Sequence, residues 1–374
     1  MARVLIFACN AGVSLSEGGG SRFILTLARF LAERGENVTL AGFHSLDPAG
    51  LAEVHGKFDH VEVMTTAVKA GFGLARKLPF KLSAYFGTAF PGFETFISRS
   101  IEKARPDTVW FNDEIPRAAQ ESLNGAFETR TYVHYPYFAD HPDDVIDFPL
   151  LLGRNLVRHP ETYGRVYANG TVTRNAMHRC EREKAEVLFP YVRSEDPVTH
   201  NEKKDWIVSL GAISPVKRHH DIVRAFAASG LGEKGAKLFV CGYVRNILYA
   251  SKLRRLVEQT PGAQMLVGPD RELLEMILQR AKGIVSAADF EPFGLGLLEA
   301  VEAGAVPVVK RSNLNGGWVD ITKWGQFGLG FADSKALETS MTTVVENYSE
   351  LAPTLDELLA RPDFSHDNFA RAIR

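Results

Sequence analysis

The sequence predicts an α/β protein of two doubly wound parallel-sheet domains that face each other across a cleft. The first observation is length, because 374 residues exceed what one hydrophobic core usually holds. The second is that short apolar runs alternate with helical patterns in both halves, as in open parallel sheets. The third is a polar stretch without apolar periodicity, residues 193–205, which predicts an interdomain linker.

The composition is that of a soluble globular protein, with 45% hydrophobic and 24% charged residues. The formal net charge of −2 argues against nucleic acid as a partner, since proteins that bind it are usually strongly basic. Cys9, Cys180 and Cys241 are too far apart for a zinc cluster or a disulfide framework, which favours a reducing compartment. No run reaches the ~18 to 20 apolar residues of a membrane span, so we expect a cytoplasmic protein.

The first half begins with a strand, a glycine-rich loop and a helix. The run "RVLIFAC" (3–9) is continuously apolar, which is typical of a strand buried on both faces. Apolar residues then recur at helical spacing from Phe23 to Leu31, and Gly35 stands where a helix C-terminal cap is expected. The run "NVTLAGF" (37–43) predicts a second strand and completes a βαβ unit. Further strands are predicted over residues 108–113, 129–135 and 165–170.

The alternation of strands and helices restarts after the linker. Strands are predicted over residues 206–211, 237–244, 263–268, 283–287 and 306–309. Helical patterns separate them, so this half contains at least five βα units. The predicted domains are therefore 1–192 and 206–345. Ligands of such sheets bind at the carboxyl ends of the strands.

The segment "DFEPFGLGLLEAVEAGAVPVV" (289–309) places two carboxylates beside apolar sequence. Glu291 follows the predicted strand 283–287, and Glu299 lies inside the next predicted helix, with seven residues between them. Buried carboxylates require a partner, and sugar hydroxyl groups are suitable donors. The alternative is a helix N-terminal acid and a second glutamate on a solvated face.

The predicted helix start supplies the other half of a ligand site. Its unpaired N–H groups, near Phe293, Gly294 and Leu295, form an anion site together with the helix dipole. Carboxylates that accept hydrogen bonds from hydroxyl groups, next to a site for phosphate, match the two parts of a phosphorylated sugar.

Residues Glu291 to Val309 resemble the E-x7-E motif of retaining GT-B glycosyltransferases, family 4 (glycosyl transferases group 1) in particular. The resemblance implies a GT-B fold with two Rossmann-like domains. It also implies that Glu291 binds hydroxyls of the donor sugar and Glu299 the donor ribose. The backbone N–H groups of Phe293, Gly294 and Leu295 would hold the sugar and the distal phosphate.

Other parts of the family pattern are present with changes. Lys217 stands where the family has the lysine that stabilises the diphosphate, whereas Ala212 replaces the usual arginine. Arg218 is the candidate substitute for that arginine. In the first half, Gly18 and Gly19 align with paired glycines that approach the diphosphate across the cleft, but Ser21 replaces the family's glutamate.

His134, at the end of the predicted strand 129–135, corresponds to a histidine that often faces the reacting sugar in this family. The residues alone allow a satisfied structural histidine equally well. The resemblance further implies that residues 346–374 form terminal helices, which we expect to pack back toward the N-terminal domain.

The resemblance implies transfer of a sugar from a UDP- or GDP-linked donor to a hydroxyl of a glycan or lipid-linked acceptor, with retention. His134, Glu291 and Lys217 would be catalytic, without a cofactor. Because no D-x-D occurs, we expect a metal-independent enzyme. The alternatives are an inactive GT-B-like partner subunit or another GT-B enzyme such as a nucleotide-sugar epimerase. A dinucleotide oxidoreductase is disfavoured, because no G-x-G-x-x-G follows the first strand.

Basic and aromatic residues alternate in "KAGFGLARKLPFKLSAYF" (69–86). Such a stretch suits peripheral contact with an anionic membrane, where a lipid-linked acceptor would lie. An ordinary helix pair with its apolar side in the core explains the pattern equally well.

Overall fold

The computed structural model describes residues 1–8, 18–42, 61–65, 93–116, 123, 127–136, 160–161, 164–177, 179–191 and 202–374. The chain divides into two compact units, Met1–Asn169 with Thr173–Phe189, and Gly170–Val172 with Pro190–Arg374. Within the described ranges no helix combines the length and the apolarity needed to cross a membrane. Cys9, the stretch 69–86 and residues 193–201 lie outside the described residues.

The first unit contains a seven-stranded parallel sheet with the order β3-β2-β1-β4-β6-β8-β9. Its strands are β1 (Arg3–Ala8), β2 (Asn37–Gly42), β3 (Val61–Thr65), β4 (Thr108–Asn112), β6 (Glu128–Val133), β8 (Arg165–Ala168) and β9 (Glu186–Val187). A separate antiparallel pair is formed by β5 (Ile115–Pro116) and β7 (Pro160–Glu161). Its described helices are α1 (Gly18–Glu33), α2 (Phe93–Ala104), α3 (Thr171–Ala176) and α4 (Arg179–Arg182), with α3 beginning at the boundary of the units.

The second unit contains a six-stranded parallel sheet with the order β12-β11-β10-β13-β14-β15. Its strands are β10 (Lys204–Leu210), β11 (Lys237–Gly242), β12 (Ala263–Val267), β13 (Ala281–Ser286), β14 (Val306–Lys310) and β15 (Leu329–Phe331). The helices are α5 (His219–Ser229), α6 (Ile247–Glu258), α7 (Arg271–Arg280), α8 (Leu295–Glu302), α9 (Ser334–Glu346), α10 (Tyr348–Leu351), α11 (Pro353–Leu359) and α12 (His366–Ala372). Within residues 202–374, short turns of other helix types cover Pro215–Lys217, Gly317–Ile321 and Pro362–Phe364.

These two sheets confirm the predicted α/β class. The apolar runs are buried strands: Leu5 and Phe7 in β1 and Val306 and Val309 in β14 are completely shielded from solvent. The predicted helix cap is also confirmed, because α1 ends at Glu33 and Gly35 has the positive φ of 80° that a C-terminal glycine accommodates. The sheets place the loops that follow each strand along one edge.

Several boundaries differ from the prediction. Strand β10 begins at Lys204, so the last two residues of the predicted linker are already part of the sheet. Helix α8 begins at Leu295, the last residue of the predicted helix start over Phe293, Gly294 and Leu295, because Gly294 has φ 102° and is not helical. The terminal helices are present, and Arg361 anchors them by donating from Nη1 to the carbonyl groups of Asp320 and Ile321, both at 2.9 Å. Their packing toward the first domain stays a prediction.

Candidate functional site

The loop that carries Glu291 is held by a neighbouring turn. The Glu291 amide donates to the Leu314 carbonyl at 3.0 Å, and the Glu291 carbonyl accepts from the Gly316 amide at 2.7 Å. A side chain at Gly316 would not fit, since its Cβ would lie 2.4 Å from the Pro292 carbonyl oxygen. Fully buried Asn315 completes the turn by donating from Nδ2 to the Ala288 carbonyl at 2.8 Å. The backbone on both sides of the Glu291 side chain is therefore fixed.

Helix α8 starts immediately after this loop and leaves amide groups available for a ligand. Gly294 is its N-terminal cap, and the Gly294 carbonyl accepts from the Leu297 and Leu298 amides at 2.9 and 3.1 Å. Within residues 202–374, the amide groups of Gly294, Leu295 and Gly296 donate to no hydrogen-bond acceptor. Such groups, with the helix dipole, favour an anion.

The other predicted members of the motif lie on or beside α8. Phe293 is buried, with 2% exposure, and its ring fixes the loop in the core. Glu299 lies half-buried inside α8, and α8 ends at Glu302. Gly304, with φ 84°, follows the end of the helix.

Lys217 and Glu291 form an ion pair between Nζ and Oε2. Lys217 ends the short 3₁₀ turn that follows β10, and its aliphatic stem lies over Gly211, with Cε 3.4 Å from the position of an added Cβ. The two side chains are 26% and 16% exposed, so the pair is partly shielded and open to solvent at one side. The structure thus brings together two residues that the sequence predicts for one site.

Arg218 is held by carboxylates. Its Nε lies 2.7 Å from Asp221, and its Nη1 lies 2.5 Å from Asp289, which also pairs with Lys310. Hydrogen bonds with Asp221 and Asp289 raise the pKa of the guanidinium above its ordinary value. Arg218 itself has φ 53°, an uncommon conformation for a residue with a side chain. In this arrangement Arg218 holds the loops after β10 and β13 together.

Ala212, the position of the missing arginine, is tied to a buried histidine. The Ala212 carbonyl can only accept, so His219 donates from Nε2 at 3.2 Å. His219 Nδ1 then accepts from the Ser209 hydroxyl at 2.7 Å. Burial lowers the pKa of His219 to about 4, so the ring is neutral near pH 7. No role is predicted for His219 from the sequence, because its partners are known only from the folded loop.

In the first unit, His134 lies just beyond β6 and is half-buried. Its Nε2 donates to Asn112 Oδ1 at 2.8 Å, and its amide donates to Asp113 Oδ1 at 2.8 Å. This leaves Nδ1 as an acceptor. Burial lowers the pKa of His134 to about 4 and raises that of Asp113 to about 7. No function is predicted for Asn112 or Asp113 from the sequence, although a polar pair at the end of a buried strand is the signal that points to one.

Gly18 and Gly19 are the first two residues of α1, not part of a loop before it. Their amide groups belong to a helix N-terminus, where intrahelical acceptors are missing. Their predicted role at the donor diphosphate stays a prediction.

Comparisons with known proteins agree with this fold and motif. Residues 193–357 match the family model of glycosyl transferases group 1. Among solved structures, Anabaena HepE in complex with UDP and glucose is 15% identical, with TM-score 0.68, over 100% of this chain and 99% of that one. WaaG, a glycosyltransferase involved in lipopolysaccharide biosynthesis, is 15% identical, with TM-score 0.69, over 99% of both chains.

A third similar structure is the sucrose-phosphate synthase of Thermosynechococcus elongatus. It is 14% identical, with TM-score 0.69, and the match covers 100% of this chain and 97% of that one. No curated protein is significantly similar in sequence. The chain has the GT-B fold of glycosyltransferases, and the residues that match the family model, 193–357, lie within its second unit.

Proposed function

We propose that this protein is a retaining, metal-independent glycosyltransferase of EC class 2.4. It would transfer a sugar from a nucleoside-diphosphate donor to a hydroxyl of a glycan or lipid-linked acceptor. The observation that carries the proposal is the Lys217–Glu291 ion pair beside the open amide groups at the start of α8. A cation and a helix N-terminus bind a diphosphate, while a carboxylate next to them binds sugar hydroxyls.

The chemistry assigned to these residues is electrostatic. As the bond between sugar and diphosphate breaks, negative charge grows on the leaving phosphate. Lys217 and the amide groups of Gly294 and Leu295 stabilise that charge. The acceptor hydroxyl attacks from the face that the diphosphate leaves, so the configuration is retained without a protein nucleophile. Glu291 orients the sugar through its hydroxyls, and Glu299 binds the ribose, as the family resemblance implies.

The donor class in this proposal is a UDP- or GDP-sugar. HepE is described in complex with UDP and glucose, and also with UDP-glucose, which supports a uridine donor. For His134 we propose the catalytic role that the resemblance implies. Its ring is neutral near pH 7, and Nδ1 is the nitrogen that accepts a hydrogen bond from a sugar hydroxyl.

One observation favours a second candidate, a GT-B-like subunit without activity. Ala212 replaces a cationic residue of the family, and Arg218, the nearest substitute in sequence, is paired with Asp221 and Asp289. Such a subunit would have lost nucleotide binding at this site. Nucleotide binding therefore discriminates between the two candidates.

The first test is thermal unfolding with UDP, GDP, ADP, dTDP and NAD. A ligand at a hundred times its Kd stabilises the folded state by ~2.7 kcal/mol, which raises Tm by a few degrees. The transferase proposal predicts a shift with one nucleoside diphosphate and none with NAD, and turnover of the corresponding nucleotide sugar. Glu291→Ala should abolish turnover, whereas Glu346→Ala, a change of an exposed carboxylate on α9, should not. Absence of any shift would support the inactive subunit instead.

A further inference from the structure

The solvent-facing side of α6 carries large apolar side chains at its N-terminal end. Ile247 is 80% exposed and Leu248 is 76% exposed, which makes them the most exposed large apolar residues in the described chain apart from Met1. Val244, in the turn before the helix, is 36% exposed. The helix buries Ala250, Leu253 and Val257 against its own unit. The buried stripe therefore does not account for Ile247 and Leu248.

Cationic side chains follow these apolar residues along the same helix. Residues 243–257 contain Arg245, Lys252, Arg254 and Arg255 and no acidic residue, in a chain whose formal net charge is −2. Leu248, Lys252 and Arg255 have the spacing of one helix face, opposite the buried stripe. Among the described residues, no carboxylate forms a salt bridge with Lys252, Arg254 or Arg255.

The surroundings of α6 keep this charge positive. On the neighbouring helix α5, Asp221 is paired with Arg218 and contacts His220, and Arg224 is exposed. The next acidic residue along α6 is Glu258, at its last position. Two exposed aliphatic tips beside a cluster of cations have the chemistry of a surface that inserts shallowly into an anionic lipid layer.

We infer that the outer face of α6 and the turn before it, formed by Val244, Ile247, Leu248, Lys252 and Arg255, docks on anionic phospholipid. The aliphatic tips enter the boundary between headgroups and acyl chains, and the cations bind lipid phosphates. This site is distinct from the basic and aromatic stretch 69–86. The inference does not depend on the proposed transferase activity, because it concerns binding of the whole protein to a membrane.

The test is co-sedimentation of the full chain with vesicles of phosphatidylcholine alone and of equimolar phosphatidylcholine and phosphatidylglycerol. The wild type should bind the anionic vesicles, bind the neutral ones at least about tenfold more weakly, and lose binding as salt screens the cations. Ile247→Ser/Leu248→Ser and Lys252→Glu/Arg255→Glu should each weaken binding at least about tenfold. Because all four side chains are exposed, circular dichroism and Tm should match the wild type.

The matched controls change exposed residues away from α6. Lys335→Glu/Arg371→Glu alters the net charge as much as the Lys252/Arg255 variant does, and Leu273→Ser removes an exposed leucine. Both controls should bind like the wild type. Failure of the wild type to bind anionic vesicles would overturn the inference, as would equal loss of binding in the charge control. Sedimentation velocity tests whether a second copy of this chain, and not a lipid surface, binds to this face. Self-association of the wild type that Ile247→Ser/Leu248→Ser abolishes, without vesicle binding, would assign the face to a second copy.

Discussion

Lys217 and Glu291 are 74 positions apart in sequence, yet they form an ion pair at the carboxyl ends of two adjacent strands. Strands β10 and β13 are neighbours in the second sheet, so the loops that follow them emerge side by side. The Glu291 carboxylate is paired with the Lys217 ammonium group, to which the diphosphate of a donor would also bind. A donor must therefore exchange a phosphate for this carboxylate, which then becomes available to the sugar.

This exchange predicts opposite effects of the two alanine variants on nucleotide binding. Lys217→Ala should raise the Kd of the nucleoside diphosphate about tenfold or more, since a charged hydrogen bond contributes about 1.5–3 kcal/mol. Glu291→Ala should leave that Kd unchanged or lower it, because Lys217 no longer has a competing partner, while turnover is lost. Calorimetric titration of both variants with the nucleotide that stabilises the wild type measures the difference.

The exposed Lys323→Ala variant is the control for the loss of a cation elsewhere in the second unit. Unfolding should report little change in either ion-pair variant, because partly exposed pairs contribute about 0–1 kcal/mol. Equal weakening of nucleotide binding by Lys217→Ala and Glu291→Ala would contradict the exchange.

A second prediction concerns Gly294. Its φ of 102° is unfavourable for any residue with a Cβ, although an added Cβ would meet nothing closer than 3.6 Å. Gly294→Ala should therefore destabilise the fold by about 1–3 kcal/mol through backbone strain, and relief of that strain should displace the amide groups at the start of α8. We expect nucleotide affinity to fall together with stability.

Gly230→Ala separates these two effects. Gly230 follows α5 with φ 68° and has nothing within 4 Å of an added Cβ. This variant should lose about 1 kcal/mol of stability and keep its nucleotide affinity. If Gly294→Ala kept wild-type affinity as well, the amide groups would have no part in binding.

A third prediction follows from His219. Its folded-state pKa of about 4 lies below the ordinary 6.5, so between these values the unfolded chain binds a proton that the folded chain does not. The free energy of unfolding must then fall as the pH falls from 6.5 to 4, by up to about 3 kcal/mol from this residue. In His219→Gln this contribution should be missing, so the loss of stability toward pH 4 becomes smaller.

Urea unfolding of the wild type and His219→Gln at pH 7 and at pH 5 measures the difference. His366→Gln, which removes an exposed histidine, is the control and should retain the wild-type dependence. If the free energy of unfolding changed equally with pH in the wild type and in His219→Gln, the pKa of His219 would be the same in the folded and unfolded states, against the prediction.

The sequence was most informative where burial is continuous. The apolar runs of β1, β10 and β14 and the Gly35 cap after α1 are local patterns, because each depends only on residues that are neighbours in sequence. The order of strands in the second sheet is not local, so the direct Lys217–Glu291 ion pair could not be predicted, although the family resemblance implies one site for both residues. For the same reason, the partners of Arg218 could not be predicted, since they lie in the loop after β13 and in α5.

Short elements, and elements with a weak hydrophobic pattern, were not predicted either. Strand β15 (Leu329–Phe331) has only three residues, and the pair Ile115–Pro116 and Pro160–Glu161 has two each, too few for a period to show. Helix α2 (Phe93–Ala104) lies in a stretch that the sequence left unassigned. The roles of Asn112 and Asp113 depend on β4 and β6 being neighbours in the first sheet.

The last prediction tests whether Asn112 keeps His134 neutral and oriented. Asn112 is 2% exposed, and its Oδ1 accepts from His134 Nε2. Asn112→Asp preserves the shape and places a carboxylate at that position. An opposite charge at this distance raises the pKa of the imidazole, so the ring becomes protonated closer to neutral pH. A protonated ring has no acceptor at Nδ1. As the pH falls, transfer should therefore be lost at a higher pH in Asn112→Asp than in the wild type.

The measurement is the pH profile of kcat/KM for transfer, with circular dichroism as the check on folding. The acid limb of Asn112→Asp should move toward neutral pH, whereas the rate on the alkaline side of the limb should approach that of the wild type. The double variant Asn112→Asp/His134→Gln, followed through its residual transfer, is the control, since it contains the substituted carboxylate but no imidazole whose pKa the carboxylate could raise. A shifted limb in both variants would trace the effect to the new carboxylate itself. If the pH profiles of Asn112→Asp and the wild type superimposed, Asn112 would not control the protonation of His134.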